Sequence, residues 1–333
     1  MSNDIYDYIN VGVFKMKHFP VLMFAMVVAL TACGGGGGVS SSGPLPILTI
    51  TSSNYADVAT NSVARANGAS SASSLGTSLV GAQISQSESI ALKNIALSTA
   101  TTLLDNWAMF DNPTIVGVVT SKTLNCSGGG TVSAVVNAAN SNVPTAGDSI
   151  SATFTNCYQN SVRSNGLLSI VINSYSGNLS TSGSASLAMK FNNFTAGSDA
   201  VDGSITMGVT ISSATVRTVT LAMPSFQITS NGDSFSFAEF SMTASENGSS
   251  ASLNMAGTIS SSRYGGSVLI STPATFAIDS SRRVTGEILL TGKNRTKARI
   301  VGQSTTSILI EADTTGNGTY DINTAVTLAS LGF

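Results

Sequence analysis

Few of the side chains that do chemistry occur in this 333-residue chain, and where they occur narrows what it can do. Histidine is found once, His18, and cysteine three times, at Cys33, Cys126 and Cys157. His18 lies with Lys15 and Lys17 in a basic stretch ahead of an apolar run over residues 21–30, the layout of an export signal that is later removed. The remaining chain would then hold no Ser-His-Asp triad, no Cys-His dyad and no imidazole metal ligand. Glycoside hydrolysis by paired carboxylates needs no histidine, and Asp199, Asp202, Asp233, Glu239 and Glu287 are the acids available for it. They fall in or beside expected turns, and aromatic residues are only 6% of the chain, so no aromatic-lined cleft is implied. The expectation is a protein that is not an enzyme.

Two other constellations have a binding chemistry. Asp313-Thr314-Thr315-Gly316-Asn317-Gly318-Thr319-Tyr320-Asp321 offers oxygens at the first, third, fifth and ninth positions and glycine at the sixth, like the opening of an EF-hand loop. Asp313, Asn317 and Asp321 are therefore candidate calcium ligands, and calcium is the one cofactor considered. The third position is threonine, however, and Thr324 stands where a bidentate Glu belongs, so a Gly-rich hairpin turn between 308–312 and 325–328 is preferred. Arg282, Arg283, Lys293, Arg295, Lys297 and Arg299 gather cations within a short span. The last four alternate, so on an extended strand they would share one face. That face would suit anionic lipid headgroups or glycans; a solvated edge strand whose charges discourage sheet-to-sheet pairing is the preferred alternative.

Leu30-Thr31-Ala32-Cys33-Gly34 closes the apolar run, which is short for a membrane span. This stretch resembles the lipobox of bacterial lipoproteins, in which the cysteine is acylated and the peptide bond before it is cut. The resemblance implies a signal peptide over 1–32, a palmitate-type lipid on Cys33, and a mature chain held to a membrane from its N-terminus. Gly34 after the cysteine, rather than Asp, resembles the outer-membrane sorting choice, so the expected location is the cell envelope, on the outer membrane. Asp4 and Asp7 sit where an export signal carries bases, whereas Met16-Lys17-His18 would begin one, so translation is expected to start at Met16. Removing Lys15, Lys17, Asp4 and Asp7 leaves the formal charge of −2 unchanged, with no basic excess for nucleic acid. With Cys33 acylated, Cys126 and Cys157 form an even pair in an oxidising compartment, and a disulfide is the default.

Charged residues make up 10% of the chain, against about 25% in an average soluble domain; Ser, Thr, Gly, Asn and Ala replace them, as in secreted β-rich proteins. Residues 33–84 read as the lipidated cysteine and a flexible Gly/Ser/Ala-rich tether, with 44–50 an extended segment that docks on the body. Ser85-Gln86-Ser87-Glu88 has capping-box form, and Leu92, Ile95, Ala96, Leu103 and Trp107 share a face at helical spacing, which predicts an amphipathic helix over 85–110. Beyond Pro113 the apolar period becomes two, as in Leu187-Met189-Phe191 and Ile205-Met207-Val209-Ile211. Turn residues punctuate it at Asn165-Gly166, Asn231-Gly232-Asp233, Glu246-Asn247-Gly248, Gly265-Gly266 and Gly292-Lys293-Asn294. Over 111–333 this predicts a large curled antiparallel meander of roughly a dozen or more strands, open or barrel-like, with the helix packed on it. A bridge between Cys126 and Cys157 would tie the open ends of one hairpin, with strands near 131–137 and 149–155.

Cys126-Ser127-Gly128-Gly129-Gly130-Thr131, with Ala146-Gly147-Asp148-Ser149 and Phe154-Thr155-Asn156-Cys157, resembles a block in β-rich envelope lipoproteins of Gram-negative bacteria. The ending from Ile308 through Asp321 is similar to theirs, and the resemblance implies no activity. The expected function is that of a lipid-anchored cell-envelope protein of structural or interaction type, its partner an envelope protein, a glycan or a lipid. The alternative is a carrier holding an apolar ligand such as lipid between curved sheet and helix, with Met189, Met207, Met223, Met242 and Met255 lining an adaptable cavity.

Overall fold

The computed structural model describes residues 45–70 and 118–331, apart from 127, 140–143, 160, 161, 180, 231, 304 and 306. The lipobox with Cys33 and the helix expected over 85–110 with Trp107 lie outside the described residues. Among the described residues one α-helix, α1 (Tyr55–Ser70), precedes a single sheet. Its strands are β1 (Val118–Asn125), β2 (Thr131–Ala138), β3 (Ser149–Gln159), β4 (Val162–Asn178), β5 (Ser182–Ala196), β6 (Asp199–Ser213) and β7 (Val216–Ser230). They continue as β8 (Asp233–Asn247), β9 (Ser250–Ser261), β10 (Gly266–Ile278), β11 (Val284–Thr291), β12 (Lys297–Gly302), β13 (Ser307–Asp313) and β14 (Ile322–Thr327). All 14 pair in sequence order, each antiparallel to the next, and β1 does not pair with β14, so the meander is open.

Alternation along each strand sorts the side chains onto two faces. On β5, Ala185, Leu187, Met189 and Phe191 are buried, while Ser184, Ser186, Ala188 and Lys190 point the other way. The buried face forms one continuous core that runs from Val58 of α1 to Ala312 of β13. The outer face is held by hydroxyls. Residues directly opposite each other pair as Thr123 with Ser133 (2.9 Å), Ser151 with Ser169 (3.3 Å), Ser176 with Ser184 (3.0 Å) and Thr218 with Ser245 (3.1 Å). Such cross-strand pairs each add a few tenths of a kcal/mol, up to about 1 kcal/mol, without a charge.

Strands of up to 17 residues would leave a wide sheet with a bare apolar face unless they bent. They bend along a line that crosses the sheet. Asn156 on β3, Asn193 on β5 and Glu239 on β8 have φ of 47°, 47° and 48°, each at a register shift against a neighbouring strand. A bulge bends its strand and increases its twist. Opposite the bulges stand glycines on the adjoining strands. At Gly166 (φ +102°) a Cβ would lie 2.3 Å from the Asn193 carbonyl oxygen, and at Gly203 (φ +112°) one would lie 2.2 Å from that of Ser225. Only glycine allows both that backbone and that approach. Asn165-Gly166, expected as a turn, is therefore a mid-strand kink, and β4 continues through it to Asn178. Inside the bend, aromatic rings meet edge to face, Phe154 with Phe194 at 5.4 Å and Phe191 with Phe226 at 5.8 Å.

The segment expected as tether is partly structured. Residues 45–50 lie along β10, where the Leu48 N–H donates to the Ser267 carbonyl (3.0 Å) and the Ser267 N–H to that of Pro46 (2.9 Å). The chain then turns at Asn54, whose Oδ1 accepts the Thr51 N–H (2.7 Å), and enters α1. Val58, Ala59, Ser62, Val63 and Ala66 form its buried stripe, which packs on β12, β13 and the 3₁₀ turn Leu328–Leu331. Small side chains let the helix approach the sheet closely, and they are also why this stretch reads as linker. Ser62 Oγ lies 3.3 Å from the Tyr264 hydroxyl, and burial pushes the Tyr264 pKa up to about 12.

Cys126 and Cys157 have their sulfurs 1.98 Å apart. Cys157 lies on β3 just past the Asn156 bulge, and Cys126 opens the turn between β1 and β2, so the bridge spans from the edge strand's end to the second strand inward. The turn is locked there by backbone bonds from Gly128 N–H to the Tyr158 carbonyl (2.7 Å) and from Tyr158 N–H to that of Gly129 (2.8 Å).

Gly203→Ala is expected to lower unfolding free energy in urea by about 2–3 kcal/mol, from backbone strain plus the clash with Ser225. Gly248→Asn, at φ +63° with nothing within 4 Å of its Cβ, should stay close to neutral. Equal losses at the two positions would remove the bend line as a structural requirement. Replacing both Cys126 and Cys157 by Ser, which opens a loop of sequence separation 31, should cost about 3–4 kcal/mol in the same titration.

Candidate functional site

Ionic side chains concentrate on the outer face and rim of β11–β13. Arg299 points outward from β12, between the neighbours that register places beside it. Its Nε donates to Glu311 Oε2 at 2.5 Å, Glu287 Oε2 is 3.9 Å from Nη1, and Cζ stands 4.0 Å from the centre of the Tyr320 ring. This cation is matched by two carboxylates and covered by an aromatic face. It is not available as part of an open basic patch.

The other cations separate as well. Successive turns of a meander alternate between the two ends of the sheet, so the turn carrying Arg282 and Arg283 and the turn carrying Lys293 and Arg295 lie at opposite ends of β11. Eight residues of strand place them about 26 Å apart. Lys293, Arg295, Lys297 and Arg299 do not alternate along one strand either, because Lys293–Arg295 is a 3₁₀ turn with Asn294 at φ 58° and Arg295 at φ 64°. β12 is interior to the sheet, paired on both sides, so its charges do not guard an edge.

The turn at 292–296 is clamped by the segment that precedes α1. The Lys293 N–H donates to the Leu48 carbonyl (2.7 Å), the Ile50 N–H to Thr296 Oγ1 (3.0 Å), and Thr296 Oγ1 to the Lys293 carbonyl (2.8 Å). Lys293, Asn294 and Arg295 stay exposed. A left-handed backbone costs an ordinary side chain roughly 1–2 kcal/mol, so arginine is held at Arg295 where glycine would be easier.

Beside this turn lies the loop after β13; a Cβ on Gly316 would come 2.3 Å from the Asn294 carbonyl oxygen. Asp313 is only 1% exposed, and the loop wraps its carboxylate. Oδ1 accepts the N–H groups of Thr315 (3.2 Å), Gly316 (2.7 Å) and Asn317 (3.2 Å), and Oδ2 accepts that of Gly318 (2.7 Å). Burial alone would push its pKa up, but these four backbone donors outweigh it and hold the carboxyl below its ordinary value. Asn317 Oδ1 accepts the Thr319 N–H (2.7 Å), and the Asp321 carboxylate accepts the Thr314 hydroxyl (3.1 Å). Each of the three candidate calcium ligands therefore serves as an acceptor for the loop itself. Among the described residues no group of three or more His, Cys, Asp or Glu side chains converges to hold a metal ion.

The carboxylates considered for hydrolysis are dispersed. Asp202 accepts the Asn193 N–H at the β5 bulge (2.9 Å), Glu239 occupies the β8 bulge, and Glu287 belongs to the Arg299 cluster; these three are strand residues, not turn residues. Asp199 is buried, its pKa raised by that burial against hydrogen bonds from Ser230 and Ser198. One charged pair that periodicity did not single out faces inward at the sheet end away from the disulfide. Arg217 and Glu246 are directly opposite on β7 and β8, and Arg217 Nε and Glu246 Oε1 are buried with no hydrogen-bond partner among the described residues. Burial raises the Glu246 pKa and the Arg217 charge partly offsets it. Met189, Met207, Met223, Met242 and Met255 are all 0–3% exposed, packed among the inner-face side chains.

Because the Asp313 carboxyl is depressed, the stability it supplies is complete above its unfolded-state pKa and is lost as pH falls through the folded value. Asp313→Asn removes that charge and turns an amide N–H toward the Gly318 donor. Its melting temperature should fall below wild type at pH 7, with the gap closing in acid. Millimolar calcium should leave the wild-type melt unmoved; a rise that Asp313→Asn abolishes would make the loop a calcium site.

This chain matches no protein-family model, no curated protein and no solved structure.

Proposed function

We propose that this chain is a lipid-anchored cell-envelope protein that acts by contact, its outer sheet face being the surface offered to another envelope component. The observation that carries the reading is the division between the two faces. The inner face is apolar and closed by its own packing, while the outer one is a field of paired hydroxyls with few charges. Such a face loses little on desolvation compared with a charged one and still offers donors and acceptors in register. A carrier would use the inner face, and the burial of its five methionines leaves that reading with less support.

The anchor is tested by metabolic labelling with palmitate. Label should enter the wild-type chain, and Cys33→Ser should abolish both the label and salt-resistant sedimentation with membranes. Label that persists in that variant, or a wild-type chain that is never labelled, would overturn the anchor. For the contact surface, a photo-crosslinking residue at Thr206 or Thr220, both exposed on the outer face, should give a discrete adduct in intact envelopes; none at either position would overturn the contact reading.

A further inference from the structure

We propose that the sheet end carrying Lys293 and Arg295 is the membrane-facing end, and that these cations, with Arg263, rest on the anionic headgroups of the bilayer. The proposal rests on the anchor reading above and adds an orientation to it. Chain length supplies the first reason. The described chain starts at Leu45, twelve residues after Cys33, and no conformation of those residues spans more than about 43 Å. The body is therefore attached at the point where residues 45–50 join it, between Ser267 of β10 and Lys293. The 15-residue strands of the sheet run about 50 Å, so its two ends are not equivalent with respect to the anchor.

Charge supplies the second reason. Lys293 and Arg295 are exposed on the turn bonded to Leu48, and Arg263 is exposed on the turn beside it, where a Cβ on Gly266 would lie 2.6 Å from the Leu48 side chain. The exposed carboxylates on the adjoining elements are Asp57, in the first turn of α1, Asp321, which is engaged by Thr314, and Asp233, whose neighbour Ser234 bonds to Ser262 of the Arg263 turn. Asp313 keeps its charge but is enclosed by its loop, and the charged side chains that project from the two turns flanking residues 45–50 are all cations, Lys293, Arg295 and Arg263. Ile47, 44% exposed beside the basic turn, adds an apolar side chain at the depth of the headgroups. Arg282 and Arg283, at the far end of β11, face away.

The test uses the full chain with Cys33→Ser, so that no acyl anchor contributes, and vesicles of phosphatidylglycerol or of phosphatidylcholine. Binding should favour the anionic vesicles and fall with added salt. At about fivefold per cation, Lys293→Gln/Arg295→Gln should weaken it about 25-fold, while Arg282→Gln/Arg283→Gln leaves it unchanged, both variants melting like the parent. Equal losses from the two pairs, or no preference for anionic vesicles, would overturn the orientation. Failure of the anchor reading would show differently, as a wild-type chain without palmitate whose Cys33→Ser form keeps its vesicle preference.

Discussion

A sheet of 14 strands that does not close has one apolar face to hide, and among the described residues only α1 and the sheet itself to hide it with. The bend line through Asn156, Gly166, Asn193, Gly203 and Glu239 is the structural answer. At each crossing a surplus residue on one strand is accommodated by a glycine or a yielding backbone on the next, so the strands turn together and the sheet coils over its own side chains. The aromatic contacts on the inside depend on that curvature, and the continuous core, which leaves the methionines enclosed, depends on it too.

The outer face follows from the same economy. A coiled sheet exposes its convex side over a large area, and here that side is solvated by hydroxyls that satisfy one another across strands. Charges are confined to the rims, to the bend, and to one compensated cluster around Arg299. Where a carboxylate is buried it is enclosed by backbone donors, as at Asp313, or left with a raised pKa, as at Asp199.

The period of two along Leu187-Met189-Phe191 or Ile205-Met207-Val209-Ile211 is local, and the strands and their antiparallel meander were legible from it; that the sheet stays open was not, because closure depends on whether β1 meets β14. Asn165-Gly166 was not, because the same dipeptide serves a hairpin turn and a mid-strand kink; what separates them is the bulge at Asn193, on another strand. Helix α1 was missed for a related reason. Its stripe of Val58, Ala59, Ser62, Val63 and Ala66 carries little hydrophobic signal, and its helicity is stabilised by a surface more than 200 residues later in the chain. At the basic turn, alternation suggested one charged face, yet the left-handed residues Asn294 and Arg295 break the strand, and only pairing partners reveal that Arg299 is neutralised.

The contacts of residues 45–50 and α1 also set an order of events. Every strand of the sheet pairs with its immediate neighbour in the chain, so the meander can zip up hairpin by hairpin with short loop closures. The N-terminal segment instead bonds to Ser267, Lys293 and Thr296, the last across 246 residues. The part of the chain made first must therefore wait for β10–β13 before it can dock, and a chain stalled short of those strands would keep α1 uncovered, available to whatever holds unfinished proteins in solution.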